Sequence, residues 1–103
     1  MLTLVVNVIN RKALRQMMKA HSDSATALDA WWRATKAAHW KHLEECRKSF
    51  TSADQVGRCL IFNIVGNSYR LITVVSWRNQ RIYIKALLTH REYARNTWHK
   101  WAR

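Results

Sequence analysis

The C-terminal half of the sequence carries side chains that can bind a phosphate and transfer a proton. Arg70 follows the pair Gly66-Asn67, and His90 precedes Tyr93 by three residues. A planar guanidinium suits a bidentate phosphate contact, and an imidazole with an ordinary pKa of about 6.5 suits proton transfer near neutral pH. Cleavage of an RNA phosphodiester without a metal needs three functions. These are removal of the 2'-hydroxyl proton, a cation on the phosphorane and stabilisation of the leaving oxygen.

Each of these residues also has a purely structural interpretation. Arg70 could be a sheet-face residue that keeps the protein soluble, and His90 could be a first-turn residue in a helix cap. Tyr93 could stack on a base or donate to a phosphate, but a buried aromatic anchor explains it equally well. Lys85 is a second cation or an ordinary exposed lysine, and Arg91 is the best additional phosphate contact.

The positions of these residues depend on three strand-like runs in the C-terminal half. The runs Arg58–Val65, Tyr69–Trp77 and Arg81–Leu88 are rich in β-branched residues. They are joined by Gly66-Asn67-Ser68 and by Arg78-Asn79-Gln80, and such short connections favour hairpins. The sequence therefore predicts an antiparallel meander of three strands.

The ends of the meander have their own signals. In the third run Arg81, Tyr83 and Lys85 alternate with Ile82, Ile84 and Ala86, which predicts one polar and one apolar face. The sequence Thr89-His90-Arg91-Glu92 fits a capping box, which predicts a last helix from His90 to about Trp101.

The N-terminal half has mostly helical signals. Leu2–Ile9 is a predicted strand, Asn10 is a candidate helix cap and Arg11–His21 is a short amphipathic helix. A second helix is predicted from Ser22-Asp23-Ser24 to about Arg47, followed by a loop over Lys48–Gly57. We therefore expect a single α+β domain over residues 1–103. Its antiparallel sheet contains the N-terminal strand and the meander, and the helices pack on one sheet face.

The composition indicates a polyanionic partner. The 103 residues include 18 Lys and Arg against six Asp and Glu, which gives a formal charge of +12. Nucleic acid is the leading candidate, because each Lys or Arg that neutralises a phosphate releases counterions. No apolar stretch is long enough to span a bilayer and no signal peptide is expected. Cys46 and Cys59 are interpreted as reduced thiols of a cytoplasmic protein.

Several further polar residues are candidates for RNA contacts, although solvation explains each of them singly. They are Arg11, Lys12, Arg15, Lys36, Lys41, Arg47, Arg58, Asn63 and Asn67. Turn geometry explains Asn67 better than chemistry does. A zinc site at His39, His42 and Cys46, with Cys59 later, is the weaker alternative because these positions border the apolar stripe of the second helix. We therefore expect no metal and no cofactor.

Two segments resemble a known family. Phe62–Ile72 is similar to the F-N-I-x-G-N-x-Y-R-L-I hairpin of the HigB branch of the RelE and ParE toxin superfamily, and Thr89–Tyr93 is similar to its T-H-x-E-Y segment. The N-terminal half fits less closely, but with it the resemblance covers nearly the whole chain. It fits there through His21, Leu28 and Trp31 or Trp32. The C-terminal tail with Trp98, Lys100 and Trp101 has no counterpart in the family pattern.

The resemblance implies a RelE-like fold and a toxin that cleaves messenger RNA on the ribosome. It also implies neutralisation by a HigA-type antitoxin with a helix-turn-helix domain. The free toxin is then expected to be a cytoplasmic monomer that forms a hetero-oligomer with the antitoxin. Two alternatives remain open at this point: a nucleic-acid or ribosome-binding module that does not cut, and a ParE-like gyrase inhibitor.

Overall fold

A computed structural model describes residues 5–103 of the chain, which form one mixed sheet flanked by helices. The elements in chain order are β1 (Asn7–Ile9), α1 (Arg11–Ala20), α2 (Ala25–Lys36), α3 (Leu43–Ser49), β2 (Asp54–Val56), β3 (Cys59–Ile64), β4 (Tyr69–Ser76), β5 (Arg81–Thr89) and α4 (His90–Ala94). Two 3₁₀ segments, Ser22–Ser24 and Thr97–Trp101, precede α2 and follow α4. The predicted α+β class is confirmed.

The sheet has the strand order β1-β5-β4-β3-β2. The predicted meander of β3, β4 and β5 is confirmed, with both hairpins at the expected connections. The prediction of a wholly antiparallel sheet is wrong, because β1 pairs with β5 in parallel. A parallel neighbour requires a long crossover, and here residues 10–80 lie between the two strands.

The first strand is shorter than predicted. Residues 2–4 of the predicted strand Leu2–Ile9 lie outside the described residues, and Val5 and Val6 precede β1. The Val6 backbone N–H donates to the Ala38 carbonyl at 2.7 Å. The chain therefore contacts the segment after α2 before it joins the sheet. Asn10 caps α1 as predicted, with its side chain accepting from the Ala13 N–H at 3.2 Å.

The predicted second helix is divided into α2 and α3, which corrects the sequence-based interpretation. Its break over residues 37–42 contains no Gly or Pro. The Gln80 side chain accepts from the Trp40 N–H at 3.1 Å and donates to the Trp40 carbonyl at 2.6 Å. These distant hydrogen bonds take the place of helical ones, and the Trp40 residue is only 3% exposed.

The predicted loop Lys48–Gly57 is also partly wrong. α3 continues to Ser49, and Asp54–Val56 forms β2 at the edge of the sheet, antiparallel to β3. The Arg47 guanidinium donates to the Ala53 carbonyl at 2.8 Å and lies 3.6 Å from the Asp54 carboxylate. A three-residue strand has too little alternation to be recognised by its sequence pattern.

The predicted last helix ends early, at Ala94. Asn96 has a φ of 61°, a left-handed conformation that Asn tolerates better than most residues. The 3₁₀ segment Thr97–Trp101 then runs back over the sheet, where Trp98 is buried. Within residues 5–103, no helix has the length and apolarity needed to cross a membrane.

The two faces of the sheet carry separate apolar clusters. On the inner face, α1, α2 and α3 pack against strand residues through Leu14, Leu28, Trp31 and Cys46. On the outer face, Trp98 packs against Cys59, Ile61, Ile72 and Val74. The prediction that the helices lie on one face therefore holds for α1 to α3, while α4 and the tail occupy the outer face.

A β-bulge changes the predicted alternation of β5. Ile72 pairs with Ala86 and Thr73 pairs with Ile84, so that Lys85 has no partner on β4. Because the extra residue reverses the alternation, Ala86 packs in the outer cluster while Ile84 packs in the inner one. The prediction that Ala86 shares a face with Ile82 and Ile84 is wrong.

Candidate active site

Arg70 lies near the start of β4, between Asn63 on β3 and Leu88 on β5. One guanidinium nitrogen donates to the Asn67 carbonyl at 3.2 Å and to the Tyr69 carbonyl at 3.3 Å. Because a guanidinium has five N–H donors in a planar fork, the other donors remain available to a phosphate. The β3–β4 turn therefore holds Arg70 without neutralising it.

Tyr93 of α4 contacts Arg70 from the outer side of the sheet. The Arg70 Cζ atom lies 5.5 Å from the centre of the Tyr93 ring, within the range of a cation–π contact. Burial, with a smaller contribution from the Asp54 carboxylate, raises the pKa of the Tyr93 phenol. The phenol thus stays neutral at physiological pH and can donate a hydrogen bond.

His90 begins α4 at the same end of the sheet. The residue before it, Thr89, pairs with Tyr69, the residue before Arg70. The predicted capping box is confirmed: the Glu92 N–H donates to Thr89 Oγ1 at 3.2 Å, and the Thr89 N–H donates to Glu92 Oε1 at 3.0 Å. The cap orients the first turn of α4, and His90 and Arg91 are both exposed there.

A second set of side chains joins the inner helices to this end of the sheet. The Tyr69 hydroxyl donates to the Asp23 carboxylate at 2.7 Å, and the His21 ring lies 5.0 Å from the Tyr69 ring. The hydrogen bond to Asp23 raises the pKa of Tyr69. Backbone donation from Thr89 lowers the pKa of Glu92, and His21 adds to that effect. Sequence reasoning missed this link, although Tyr69 lies in the recognised hairpin segment.

Most of the cations have no carboxylate partner in the described chain. Within residues 5–103 there are two ion pairs, Arg33 with Asp29 at 2.8 Å and Arg47 with Asp54 at 3.6 Å. Arg70 belongs to neither. An unpaired, half-buried guanidinium beside a neutral phenol is suited to hold an anion.

Lys85 lies farther along the sheet than Leu88, the register partner of Arg70. It occupies the bulge of β5, three positions before Leu88, which is the partner of Arg70. Its charge acts on Cys59, which pairs with Val74 farther along the sheet. The role of Lys85 as a second cation stays a prediction.

The other predicted RNA contacts are distributed over several surfaces. Asn63 lies opposite Arg70 and Asn67 lies in the adjacent turn, so both belong to the site. The remaining candidates are exposed and lie on α1, at the end of α2, near α3 or before β3; they are Arg11, Lys12, Arg15, Lys36, Lys41, Arg47 and Arg58. Arg11 and Lys36 share the Trp32 ring, at 3.7 and 4.0 Å from its centre.

The residues of the alternative zinc site do not converge. Cys46 packs in the inner cluster and Cys59 in the outer one, on opposite faces of the sheet. Burial raises the pKa of the Cys46 thiol to about 12, so that this thiol stays protonated and unreactive. No group of three His, Cys, Asp or Glu residues within residues 5–103 is arranged to hold a metal ion.

Comparison with known proteins identifies the family. Residues 24–96 match the model of the HigB_toxin family, described as the RelE-like toxic component of a toxin-antitoxin system. The chain belongs to this family. Arg70, His90 and Tyr93 all lie within the matched HigB_toxin segment, whereas α1 and the 3₁₀ segment after Asn96 lie outside it.

Individual HigB_toxin relatives agree with the family match over most of their length. The chain is 28% identical over 91 residues to the mRNA interferase toxin HigB of Escherichia coli K12, covering 85% of this chain and 88% of the relative. It is 23% identical over 95 residues to the mRNA interferase HigB of E. coli O6:H1, covering 89% of this chain and 92% of the relative.

Proposed function

We propose that this HigB_toxin member is an endoribonuclease that cleaves messenger RNA on the ribosome. The observation that carries the proposal is the unpaired Arg70 guanidinium, which is held by the β3–β4 turn and by Tyr93 at the end of the sheet where His90 begins α4. The relatives named mRNA interferase support the same activity.

The proposed reaction uses the RNA's own 2'-hydroxyl. That hydroxyl gives its proton to a base and attacks the neighbouring phosphorus, and the bond from phosphorus to the 5'-oxygen breaks as this oxygen takes a proton. Arg70 binds the phosphorane oxygens, where its charge matters most in the transition state. His90 is the proposed general acid or base, and the neutral Tyr93 phenol donates to a phosphate oxygen.

The remaining cations are proposed to hold the RNA on either side of the scissile phosphate. Arg91, exposed beside His90, contacts a flanking phosphate, and Lys85 contacts one farther along the outer face. The cations of α1 and Lys36 are proposed to bind ribosomal RNA, since Trp32 holds Arg11 and Lys36 at the surface. Such contacts predict binding that weakens steeply with salt.

As the toxic component of a toxin-antitoxin system, the chain has an antitoxin partner. We propose that this antitoxin is of the HigA type, carries a helix-turn-helix domain and presents acidic residues to the cationic surface. The proposed free toxin is a cytoplasmic monomer. Association that resists high salt would instead indicate that apolar burial holds the complex together.

The decisive experiment compares Arg70→Ala with the parent in a translating extract. The parent should produce discrete cuts within codons, and Arg70→Ala should cleave at least about 100-fold more slowly, because a half-buried transition-state donor is lost. Arg78→Ala, an exposed arginine in the β4–β5 turn, is the matched control and should cleave at the parent rate. Full activity of a folded Arg70→Ala variant would overturn the proposed mechanism.

The same assay separates the alternative functions. A message that stays intact while the protein binds ribosomes would support a non-cleaving module, and DNA damage in cells would support a gyrase inhibitor. Replacing the 2'-hydroxyl before the cut by hydrogen should abolish cleavage if that hydroxyl is the nucleophile. His90→Gln should slow cleavage about 100-fold or more, and a rate close to the parent would remove His90 from the mechanism.

A further inference from the structure

The tail after α4 packs against the outer face of the sheet, although it lies beyond the family match, which ends at residue 96. Trp98 is 2% exposed among Cys59, Ile61 and Ile72. The Ala102 carbonyl accepts from the Arg58 N–H at 3.1 Å. A Cβ atom on Gly57 would lie 2.1 Å from that carbonyl oxygen, so that the β2–β3 turn accepts the tail only because residue 57 is glycine.

Trp98 makes two contacts with the single residue Tyr93. The two rings are stacked, with their centres 5.0 Å apart and their planes within 6°. In addition, the Trp98 indole N–H donates to the Tyr93 carbonyl at 3.0 Å. That carbonyl lies near the end of the five-residue α4 and also accepts from the Asn96 N–H at 3.1 Å. Trp98 therefore holds both the ring and the backbone of Tyr93.

Tyr93 in turn is one of two supports of the Arg70 guanidinium. The carbonyls of Asn67 in the turn and of Tyr69 at the start of β4 accept from one nitrogen, and the Tyr93 ring lies 5.5 Å from Cζ. The two hydrogen bonds hold one nitrogen, and the aromatic ring beside Cζ is the second neighbour that can restrain the plane of the fork. Bidentate phosphate binding depends on that plane.

We propose that Trp98 is a positioning residue for RNA cleavage, acting through Tyr93 to orient the guanidinium of Arg70. The inference rests on the proposed function of Arg70 as the phosphate-binding cation. It assigns the tail of this chain a role in catalysis that the matched family segment does not contain.

The test compares Trp98→Leu and Trp98→Phe with the control Trp101→Leu, a half-buried tryptophan of the same 3₁₀ segment. Trp98→Leu should lower kcat about 10- to 100-fold, as expected when a transition-state group is misplaced by about 1 Å, with KM for RNA nearly unchanged. Trp98→Phe keeps an aromatic ring and should recover most of the rate. Trp101→Leu should match the parent.

A second comparison separates positioning from a general loss of structure. In an Arg70→Ala background, Trp98→Leu should cause no further loss, because both changes remove the same interaction. An equal additional loss in that background, or a folded Trp98→Leu variant with a kcat within twofold of the parent, would overturn the inference. If the parent and all variants leave RNA intact, the proposed function fails instead.

A measurement without catalysis tests the same contact directly. The Arg70 Nε–H proton resonance should be shifted by the Tyr93 ring in the parent and in Trp101→Leu. It should move toward its free-arginine position in Trp98→Leu. If Trp98→Leu does not fold, Trp98→Phe provides the test, since phenylalanine cannot donate to the Tyr93 carbonyl and should give a smaller shift of the same sign. An unchanged resonance in the folded variants would contradict the inference.

Discussion

The two faces of the sheet are covered by different kinds of structure. Three helices cover the inner face, where Phe62 lies within 5.2 to 6.5 Å of the rings of Trp31, Trp40 and Phe50. The outer face is covered by the five-residue α4 and a 3₁₀ tail, and Arg70 remains half-buried at its edge. The three helices on the inner face bury apolar side chains. The shorter elements on the outer face leave the charged Arg70 within reach of a ligand.

This difference separates stability from activity within the same strands. Asn63 and Arg70 on the outer face are register partners, while their neighbours Phe62 and Leu71 are partners on the inner face. Because successive residues of a strand point to opposite faces, a one-residue step along β3 or β4 moves from the site to the core. Substitutions at adjacent positions should therefore have different effects.

The largest expected effect on stability is at Phe62. Phe62→Ala should lower the free energy of unfolding by about 3–5 kcal/mol, because it leaves a cavity at the centre of the aromatic cluster. Chemical denaturation measures the loss. The neighbouring outer-face substitution Asn63→Ala should change the same quantity by about 1 kcal/mol or less. Equal losses at the two positions would contradict the division between the faces.

A smaller effect is expected at Gln80, whose side chain links the β4–β5 turn to the Trp40 backbone. Its side chain is 5% exposed and forms hydrogen bonds with Trp40 and with the Trp77 carbonyl, the latter at 2.6 Å. Gln80→Ala should cost about 2–3 kcal/mol, because buried backbone groups lose their partners. It should also increase hydrogen exchange at the Trp40 amide. Asn79→Ala, an exposed neighbour, is the control and should leave both measurements unchanged.

The smallest expected effect concerns the cap of α4 on the outer face. The pKa of Glu92 is lowered in the folded protein, chiefly by the Thr89 N–H. Its ionised form therefore adds stability that is present above its unfolded pKa of about 4.3 and is lost as the pH falls through the folded pKa. The difference in Tm between the parent and Glu92→Gln should be constant above about pH 5 and shrink below it. A difference that persists unchanged at low pH would indicate that the charge does not contribute.

The parts of the fold that could be predicted from sequence are those specified by local pattern. The β-branched runs and their Gly- or Asn-containing turns predicted the meander, and Thr89 with Glu92 predicted the start of α4. The candidate site residues Arg70, Asn67 and His90 lie next to these signals, but their roles came from the family resemblance and stay predictions. Ala86 was assigned to the wrong face because the bulge that reverses β5 has no local signal.

The remaining features depend on contacts between residues far apart in the chain. The break between α2 and α3 depends on Gln80, which is 40 residues from Trp40. The role of Trp98 depends on where the tail returns to the sheet, and the tail has no counterpart in the matched segment.

The sequence by itself determined the α+β class, the two hairpins, the excess of positive charge and the chemical types available at the site, because each follows from composition or from spacing over a few residues. Only the tertiary structure decided that β1 lies parallel to β5, that Tyr93 supports Arg70 and that Trp98 supports Tyr93. Those relations are distances between separate elements. They depend on how apolar faces pack together, which no local pattern specifies.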